Sequence, residues 1–422
     1  MAKYLLIGAG MQGTAIAVYL AASPSTRNLV CADIDEARLK LIGEHVPGVQ
    51  TLLLSGNSSW QKVIQETEPR IIISAASYEI NVAVTKAAIA AGIHCIDLGG
   101  NNDVVKHQHA LHERALAMGS IIIPDCGLAP GLVNILAADG IRELHEEGKQ
   151  VKSVKLRVGG IPSNPKPPLQ YGLVFSVSGL INEYIERSHA LHHARIAKIP
   201  PLYMSRLESI AFTGLPDLEA LDTSGGSSTL PMSFEGAVDS LDYKTIRYPG
   251  HFAKIRMLYD AGFFDSDEVS GATISNTTSH ILRGVRVYHA IPLLEELGFF
   301  SSDARDPSLR TARALSEYVL QRVLYDPDLR DVVLMRVTVE GEREGNKQRI
   351  VYEMTDKYDE TQGLSAMQRT TGFSAAIIAQ CIAEHEIREP GVHCLEKIAP
   401  YHRIQADLSD SGITISKSVT QL

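Results

Sequence analysis

The chain has little of what disulfide-stabilised, zinc-binding and nucleic-acid-binding proteins depend on. Its five cysteines are odd in number and include no Cys-x-x-Cys pair, so neither a disulfide framework nor a metal site is indicated. Lysine and arginine total 40 against 49 acidic residues, which leaves a net charge of -9 and no basic stripe for a nucleic acid. No apolar run has membrane-spanning length, and the first strand begins too early for a signal peptide. We therefore expect a soluble, cytoplasmic protein with no nucleic-acid or membrane partner.

The chain is long and rich in apolar residues. With 422 residues, of which 45% are hydrophobic, it is long enough to bury a large core and too long for one ordinary domain. It contains no internal repeat and no low-complexity tract. Two globular domains are expected.

The segment Lys3 to Leu20 follows the order strand, glycine-rich turn, helix. An apolar strand at Tyr4 to Ile7 precedes the turn Gly8-Ala9-Gly10-Met11-Gln12-Gly13, which has the spacing GxGxxG, and an alanine-rich helical run follows. In such a turn the first glycine permits a tight bend, the second lets the backbone approach a pyrophosphate, and the third lets the helix pack on the strand. The phosphates then meet free N–H groups at the positive end of the helix dipole. The segment predicts a dinucleotide site.

An acidic residue at the end of the next strand supports this prediction. Asn28 to Asp33 has the pattern of that strand, and Asp33 stands twenty residues after Gly13. A carboxylate there accepts hydrogen bonds from both ribose hydroxyls and repels a 2′-phosphate. The expected cofactor is therefore NAD rather than NADP.

Helices and strands continue to alternate up to about residue 130, which is typical of a parallel sheet covered on both faces. The strand Ile71 to Ser74 ends in small residues that leave space for a cofactor at the carboxyl edge of the sheet. Tyr78, just beyond, either contacts nicotinamide or substrate or simply packs. The residues predicted to bind the cofactor are Gly8, Gly10, Met11, Gln12, Gly13, Asp33, Ala75, Ala76 and Ser77.

The pattern changes after residue 130. Val151 to Val158 alternates between apolar and polar residues and is predicted to be a half-buried antiparallel strand. Val332 to Glu340 and Gln348 to Thr355 are predicted to form a hairpin, and Met367 to Glu384 an apolar helix that packs back on the first domain. The stretch Ser266 to Val285 is polar and irregular.

These patterns predict an α/β fold with a Rossmann-type doubly wound parallel sheet and a second α+β domain whose sheet is mainly antiparallel. The first domain is expected to cover residues 1–130, completed by about 363–422. The second domain, 131–362, is expected to bind the substrate.

Polar residues of the second domain are candidates for substrate binding. Arg247 offers a planar fork for a carboxylate, and a surface salt bridge is the alternative. The loop that begins at Thr223 and Ser224 is rich in hydroxyl groups and glycine, which suits a polar ligand but also an ordinary connector.

Three residues are candidates for proton transfer. They are Asp97, which ends a strand of the first sheet, and Tyr171 and His251 of the second domain. A lone histidine is more often a structural residue than a catalyst, so His251 gains weight mainly from its neighbours. Cys126 is a candidate for lining the pocket.

Five blocks of sequence occur in an order typical of one enzyme superfamily. They are Gly8 to Gly13, Asp97 to Gly100, Ile123 to Gly131, Val158 to Pro162 and Lys244 to His251. In these blocks the chain resembles the saccharopine dehydrogenase-like superfamily, and within it most closely the L-lysine 6-dehydrogenases. Saccharopine reductases of this superfamily typically carry an acid before the proline-glycine of the middle block, where this chain has Ala129. That departure favours the lysine-oxidising branch.

The resemblance implies NAD-dependent oxidative deamination of the ε-carbon of L-lysine, which gives 2-aminoadipate 6-semialdehyde, ammonia and NADH, and it implies a homodimer. We assign Arg247 to the substrate α-carboxylate, the loop at Thr223 to polar substrate contacts, and Asp97, Tyr171 or His251 to the base that activates water. Two alternatives stay open. One is a saccharopine- or carboxynorspermidine-type reductase acting on an opine-like secondary amine, and the other is a non-catalytic NAD-binding regulator.

Overall fold

The first sheet contains seven parallel strands, as the apolar pattern predicts. The structure is a computed structural model and describes residues 3–22, 28–56, 58–266, 294, 296–299 and 311–422. The strands are β1 (Tyr4–Ile7), β2 (Leu29–Asp33), β3 (Gln50–Leu53), β4 (Ile71–Ser74), β5 (His94–Asp97), β6 (Ile121–Ile123) and, from the end of the chain, β15 (Gly391–Val392). Their order is β15-β6-β5-β4-β1-β2-β3. The order reverses beside β1, so a crevice opens at the carboxyl end of β1, next to the glycine turn.

Helices cover both faces of this sheet. They are α1 (Met11–Ala21), α2 (Glu36–His45), α3 (Trp60–Thr67), α4 (Asn81–Ala91), α5 (Asn102–His109) and α6 (His112–Met118). The strands β1, β2 and β4 are buried along their whole length, which is why their sequences are almost continuously apolar.

Within the part of the chain that the structure describes, the second sheet has nine strands. They are β7 (Gln150–Pro162), β8 (Ser188–His192), β9 (Arg195–Ile199), β10 (Glu208–Ile210), β11 (Leu218–Asp222), β12 (Ser240–Arg247), β13 (Asp331–Arg343), β14 (Asn346–Lys357) and β16 (Ser416–Gln421). The main order is β10-β11-β12-β7-β13-β14-β16, with β8 beside β12 and β9 beside β8. The predicted fold class is confirmed: a Rossmann-type parallel sheet and a second, mostly antiparallel sheet.

The remaining helices pack around and between the sheets. They are α7 (Leu132–Glu146), α8 (Val177–Ile185), α9 (Leu230–Ser233), α10 (His251–Asp260), α11 (Ala312–Leu324), α12 (Ala366–Ala383), α13 (Leu395–Ile398) and α14 (Tyr401–Asp410). Helix α12 packs on α1 as predicted, and the ring centroids of Phe373 and Tyr19 lie 5.1 Å apart. Gly372 permits this approach, because a Cβ atom there would lie 2.7 Å from that of Ala15.

Two expectations about the second sheet need correction. The strand predicted at Val151 to Val158 extends over β7, and it is antiparallel to β13 but parallel to β12. Alternation of apolar and polar residues marks a half-buried strand whatever its direction, so the pattern does not determine the partner's orientation. The C-terminal segment 363–422 is also divided: β15 joins the first sheet, whereas β16 pairs with β14 of the second.

The hairpin of β13 and β14 is longer than predicted. Its ladder runs from Val332 opposite Lys357 to Arg343 opposite Asn346. Glu344 and Gly345 form the turn, and both have positive φ, which matches the twist of the flanking strands. After Ser266, the polar stretch predicted up to Val285 lies outside the described residues. Within the described ranges, no helix is long and apolar enough to cross a membrane.

Candidate cofactor and substrate site

The glycine turn between β1 and α1 excludes side chains at its first and third glycines. Gly8 has a φ of +101°, and a Cβ atom there would lie 2.8 Å from the backbone of Ala75. A Cβ atom on Gly13 would lie 1.8 Å from the carbonyl oxygen of Gly8. For a Cβ atom on Gly10, the nearest described neighbour would be the Arg38 guanidinium, at 3.8 Å. The backbone is therefore open at Gly10, on the side from which a pyrophosphate approaches the N-terminus of α1.

Asp33 stands at the carboxyl end of β2, against this turn. Its carboxylate accepts hydrogen bonds from the N–H of Ala9 at 2.6 Å and of Asp35 at 2.9 Å. Arg38 of α2 lies 3.4 Å from the Asp35 carboxylate and is largely exposed. The turn thus fits a dinucleotide, with a carboxylate at the position that meets ribose hydroxyls and an exposed guanidinium close by.

The residues at the start of α1 complete the cofactor edge. Met11 is 44% exposed although it is apolar, so its side chain is free to cover a bound nucleotide. The side-chain carbonyl oxygen of Gln12 is buried and has no hydrogen-bond partner among the described residues. A buried acceptor without a donor is costly, and a ligand is one way to satisfy it.

The small residues after β4 also lie at this edge. Ala75 is half-buried, whereas Ala76 and Ser77 are exposed, and the Ser77 hydroxyl accepts a hydrogen bond from the N–H of Glu79. Tyr78 extends further: its hydroxyl accepts a hydrogen bond of 2.8 Å from the Asn182 amide on α8. Tyr78 therefore links the cofactor edge to the second domain.

Two fully buried carboxyl groups lie at the ends of β5 and β6. The Asp97 carboxylate accepts hydrogen bonds from the Gln108 amide at 2.6 Å, from the N–H of Gly99 at 2.8 Å and from the N–H of Asp125 at 3.4 Å. Burial raises the pKa of Asp97, and these three donors oppose the increase. Burial raises the pKa of Asp125 to about 8, and the nearby Asp97 adds to the increase. Asp125 is therefore mostly protonated at neutral pH.

The loop rich in hydroxyl groups holds the two domains together. The hydroxyl of Ser228 donates to Asp125, and that of Thr229 donates to Glu396 at 2.9 Å. The Ser224 hydroxyl lies 3.1 Å from the carbonyl oxygen of Asn182 and 3.3 Å from Glu186. Thr223 is paired with the hydroxyl of Thr245 at 2.6 Å. The hydroxyls predicted to bind substrate thus already have protein partners, and their predicted role remains a prediction.

Arg247 lies at the end of β12 in a buried polar network. Its Nε–H donates to the Tyr184 hydroxyl at 3.1 Å, one Nη–H donates to the carbonyl of Ile246 at 2.9 Å, and another reaches Glu183 at 3.3 Å. The guanidinium lies over the ring of Tyr171, 4.6 Å from its centroid. Arg247 is 2% exposed, so the surface salt bridge considered as an alternative is excluded. Two of its five N–H groups keep no protein partner among these contacts.

His251 supports Arg247 through Tyr184. The Nδ1 atom of His251 lies 2.8 Å from the carbonyl oxygen of Leu169, and Nε2 lies 2.9 Å from the Tyr184 hydroxyl. A neutral imidazole protonated on Nδ1 satisfies both contacts, with Tyr184 donating to Nε2. Burial lowers the pKa of His251 to about 3, and the charge of Arg247 contributes. Both nitrogens are occupied, so His251 connects the Leu169 carbonyl to the Tyr184 hydroxyl.

Tyr171 and Cys126 are buried as well. Burial raises the pKa of Tyr171 well above its ordinary value, and its hydroxyl has no described hydrogen-bond partner. The Cys126 thiol is fully buried and donates to the carbonyl of Ile123 at 3.3 Å, within the apolar core. The structure therefore places Tyr171 in the Arg247 network and Cys126 in the apolar core.

Sequence reasoning missed three residues that the structure brings to this site. Glu183 and Tyr184 contact Arg247 from α8, and Asp125 lies beside Asp97. The sequence could have indicated Asp125, because it follows the strand β6 at the same sheet edge where Asp97 ends β5. Glu183 and Tyr184 lie within a helix whose pattern gives no indication of their partner some sixty residues later.

Two family models together match almost the whole chain. "Saccharopine dehydrogenase NADP binding domain" matches residues 4–123, and "Saccharopine dehydrogenase C-terminal domain" matches 127–413.

Among characterised relatives, "Saccharopine dehydrogenase [NADP(+), L-glutamate-forming]" of Schizosaccharomyces pombe is 23% identical, with 93% of each chain covered. "Alpha-aminoadipic semialdehyde synthase, mitochondrial" of Bos taurus is 21% identical, and the match spans 92% of this chain but only 45% of that protein.

Solved structures show the same fold. The apo saccharopine dehydrogenase (L-Glu forming) of Saccharomyces cerevisiae superposes with a TM-score of 0.78 at 20% identity, over the full length of both chains. The homospermidine synthase of Legionella pneumophila, solved in complex with NAD, superposes with a TM-score of 0.67 at 12% identity, over 99% of this chain and 91% of that one. At these identities the two likenesses concern the fold.

Proposed function

The chain belongs to the saccharopine dehydrogenase family of oxidoreductases, and from that membership and the site geometry we propose that it oxidises the ε-carbon of L-lysine with NAD. The products are 2-aminoadipate 6-semialdehyde, ammonia and NADH. The observation that carries the proposal is Arg247, a buried guanidinium stacked on Tyr171 with N–H groups to spare. Such a group fits one substrate carboxylate in a fixed plane.

Asp33 supports NAD as the cofactor. Its carboxylate lies against the glycine turn, where it would accept hydrogen bonds from ribose hydroxyls and repel a 2′-phosphate. Bound nicotinamide supplies the chemistry of hydride acceptance. The residues of the chain hold the dinucleotide, bind the substrate carboxylate and keep the reacting carbon apart from bulk water.

The proposed reaction also requires the substrate ε-amine in its neutral form. A lysine ε-ammonium has an ordinary pKa near 10.4, so presenting the neutral amine at pH 7 costs about 4.6 kcal/mol at 1.36 kcal/mol per pKa unit. We therefore expect activity to rise with pH as free amine becomes available. The iminium left after hydride transfer must be attacked by water, which calls for a base.

Of the three candidate bases, Asp97 lies at the cofactor edge of the first sheet. Tyr171 and His251 contact Arg247 directly or through Tyr184, and we assign them to positioning that side chain. Both oxygens of Asp97 also accept hydrogen bonds from the chain. We keep Asp97 as the proposed base because burial raises its pKa, whereas burial lowers the pKa of His251 to about 3 and makes the imidazole a weak base. Asp97→Asn should then reduce kcat strongly while leaving NAD affinity within about threefold of the wild-type value.

A second candidate reaction is oxidation or formation of an opine-like secondary amine such as saccharopine. The names of the relatives favour it, since several are NADP-dependent saccharopine dehydrogenases. Arg313 also favours it: this guanidinium donates to the Asn182 side chain at 2.8 Å and is paired with Glu317 at 2.9 Å, and its Nη1 group, which has no partner among these contacts, is left to pair with a second carboxylate. Arg38 would then serve the 2′-phosphate of NADP.

Reduced-cofactor absorbance tests these proposals in one experiment. The purified protein is mixed with NAD or NADP and with L-lysine, L-ornithine, cadaverine or saccharopine, at pH 7 and pH 10. NADH formed from lysine, faster at pH 10, supports the proposed reaction. Turnover of saccharopine without lysine turnover contradicts it and favours the second candidate. Cofactor binding without any turnover favours a non-catalytic regulator.

A further inference from the structure

Glu183 and Arg247 are neighbouring opposite charges that are only loosely paired. One oxygen of Glu183 lies 3.3 Å from one Nη of Arg247, which is a single long contact. The Glu183 side chain is 25% exposed, whereas Arg247 is 3% exposed. The other Glu183 oxygen accepts no hydrogen bond from a described residue. Glu183 is therefore the member of the pair whose carboxylate is accessible to a further partner.

A structural ion pair elsewhere on the same sheet looks different. Arg157, on β7, engages both oxygens of Glu208 and also contacts Asp242 at 2.6 Å. Lys244 adds a further contact to Glu208 at 2.7 Å. Lys244 is three residues from Arg247 on β12, so the two side chains point to opposite faces. The cluster around Arg157 is saturated, whereas the pair of Arg247 and Glu183 is not.

One unsatisfied and one satisfied hydroxyl lie on the Arg247 side of the sheet. The Tyr171 hydroxyl is buried without a partner, and the ring that carries it lies under the guanidinium. Thr245, two residues before Arg247 and hence on the same face of β12, forms a hydroxyl pair with Thr223. A buried hydroxyl without a partner is unfavourable, so a polar ligand that reaches the Tyr171 hydroxyl would be stabilised by it.

We propose that Glu183 and Arg247 form a receptor for the head group of a free amino acid, in which Arg247 binds the α-carboxylate and Glu183 binds the α-ammonium. The head group replaces one long contact with two charge-assisted hydrogen bonds, one on each partner. Burial raises the pKa of Glu183 to about 7 and Arg247 limits the increase, so an ammonium beside Glu183 favours its ionised form.

The proposed receptor is distinct from the reacting centre. In an extended lysine, five carbon–carbon bonds of about 1.5 Å separate the carboxyl carbon from the ε-carbon, which places them roughly 6 Å apart. A residue that binds the α-ammonium therefore does not reach the carbon that is oxidised. The inference deepens the proposed function and depends on it for the class of substrate, an amino acid. It makes Glu183 a substrate-binding residue that selects ligands with an α-amino group.

Binding of unreactive ligands tests the receptor separately from turnover. The probes are L-norleucine, which has both head-group charges and no ε-amine, and hexanoate, which lacks the amine. Isothermal titration calorimetry is done with the NAD-saturated enzyme and with the variants Glu183→Gln and Glu208→Gln. Glu208 is the matched control, since it is paired on the opposite face of the sheet.

We expect the wild-type enzyme to bind L-norleucine at least tenfold more tightly than hexanoate. Glu183→Gln should remove that preference and leave hexanoate affinity unchanged, while Glu208→Gln should retain the preference. Equal wild-type affinities for the two probes would overturn the inference without any variant. Equal losses for both probes in Glu183→Gln would also overturn it, because they would indicate a structural role.

The two proposals fail in different ways. If lysine is not oxidised but the norleucine preference and its dependence on Glu183 are observed, the receptor stands and the proposed reaction falls. If lysine is oxidised but 6-aminohexanoate, which lacks the α-amino group, has the same kcat/KM, the reaction stands and the receptor falls.

Discussion

The two halves of the site are built in opposite ways. The cofactor edge consists of backbone atoms and small side chains from one continuous segment, and its geometry follows from Gly8 and Gly13, where a Cβ atom would overlap the backbone. The proposed substrate side consists of large buried polar side chains from β12, α8, α10 and the segment before α8. The first half therefore depends on the space that glycine leaves, and the second on mutual satisfaction of buried charges.

This difference predicts how each half fails. A methyl group added at Gly8 or Gly13 would overlap backbone atoms, so the damage is steric and local to the turn. On the substrate side, a changed side chain leaves its former partners buried and unpaired, so the cost spreads through the network.

The largest effect is expected from Gly13→Ala, with Gly10→Ala as its matched comparison. The Gly13 methyl would lie 1.8 Å from the Gly8 oxygen, so the turn must move. We expect NAD affinity to fall by roughly 100-fold or more, equivalent to about 2.7 kcal/mol, together with a lower unfolding midpoint.

In the free protein the methyl group of Gly10→Ala would make only an ordinary van der Waals contact, with Arg38 at 3.8 Å, so its unfolding midpoint should stay close to wild type while NAD affinity falls by about tenfold. Titration of NAD and thermal unfolding measure both quantities. Normal NAD binding by Gly13→Ala would mean that the turn does not hold the pyrophosphate.

Arg247→Lys is expected to have the next largest effect. It keeps the positive charge but loses the fork, the stacking on Tyr171 and the donor to Tyr184. We expect kcat/KM for the amino-acid substrate to fall by roughly 30- to 100-fold, about 2–3 kcal/mol, mainly through KM.

Arg157→Lys is the control for Arg247→Lys, since it disturbs an equally buried arginine on the other face of the sheet. Its KM for the substrate should remain close to that of wild type. If both variants raised KM equally, the assignment of Arg247 to the substrate carboxylate would have to be abandoned.

Asp33→Ser should have a smaller effect, confined to the cofactor. Loss of the carboxylate removes hydrogen bonds to the ribose and the repulsion of a 2′-phosphate, so KM for NAD should rise by about tenfold, near 1.4 kcal/mol, and the preference for NAD over NADP should decrease. Steady-state kinetics with both cofactors measure the ratio. An unchanged ratio would leave Arg38 as the residue to vary next.

The last prediction concerns a different quantity, the pH dependence of stability at the contact between the halves. Asp125 has a pKa of about 8 in the folded protein, above the ordinary value of 3.8. Between these values the folded protein binds the proton more tightly than the unfolded chain does, so stability contributed by Asp125 is greatest at low pH and is lost as the pH rises towards 8.

Asp125→Asn removes this titration and keeps an acceptor for the Ser228 hydroxyl. The free energy of unfolding of the wild type, relative to Asp125→Asn, should therefore decline from pH 5 to pH 8 by up to about 1.4 kcal/mol per pH unit and level off above that. Urea unfolding at several pH values measures the slope. Parallel curves would show that Asp125 is ionised throughout.

The first sheet, which carries the cofactor edge, was also more predictable from the sequence than the second sheet. The strands β1 and β4 have the predicted limits, because fully apolar strands leave few alternatives. The direction of β7 relative to β12 and the place of β16 were not predictable from local pattern. A half-buried strand has the same alternation in either orientation, and the partner is chosen by the path of the chain.

The sequence by itself determined the cofactor edge: the strand, the GxGxxG turn, the helix and Asp33 are contiguous or nearly so, and local sterics fix their shape. Arg247 was recognisable as a residue type suited to a carboxylate. Only the tertiary structure decided that it is buried on Tyr171, held by Tyr184 and His251, and open towards Glu183. The reason is physical: a buried charge is defined by the groups that satisfy it, and folding brings those groups together from distant parts of the chain.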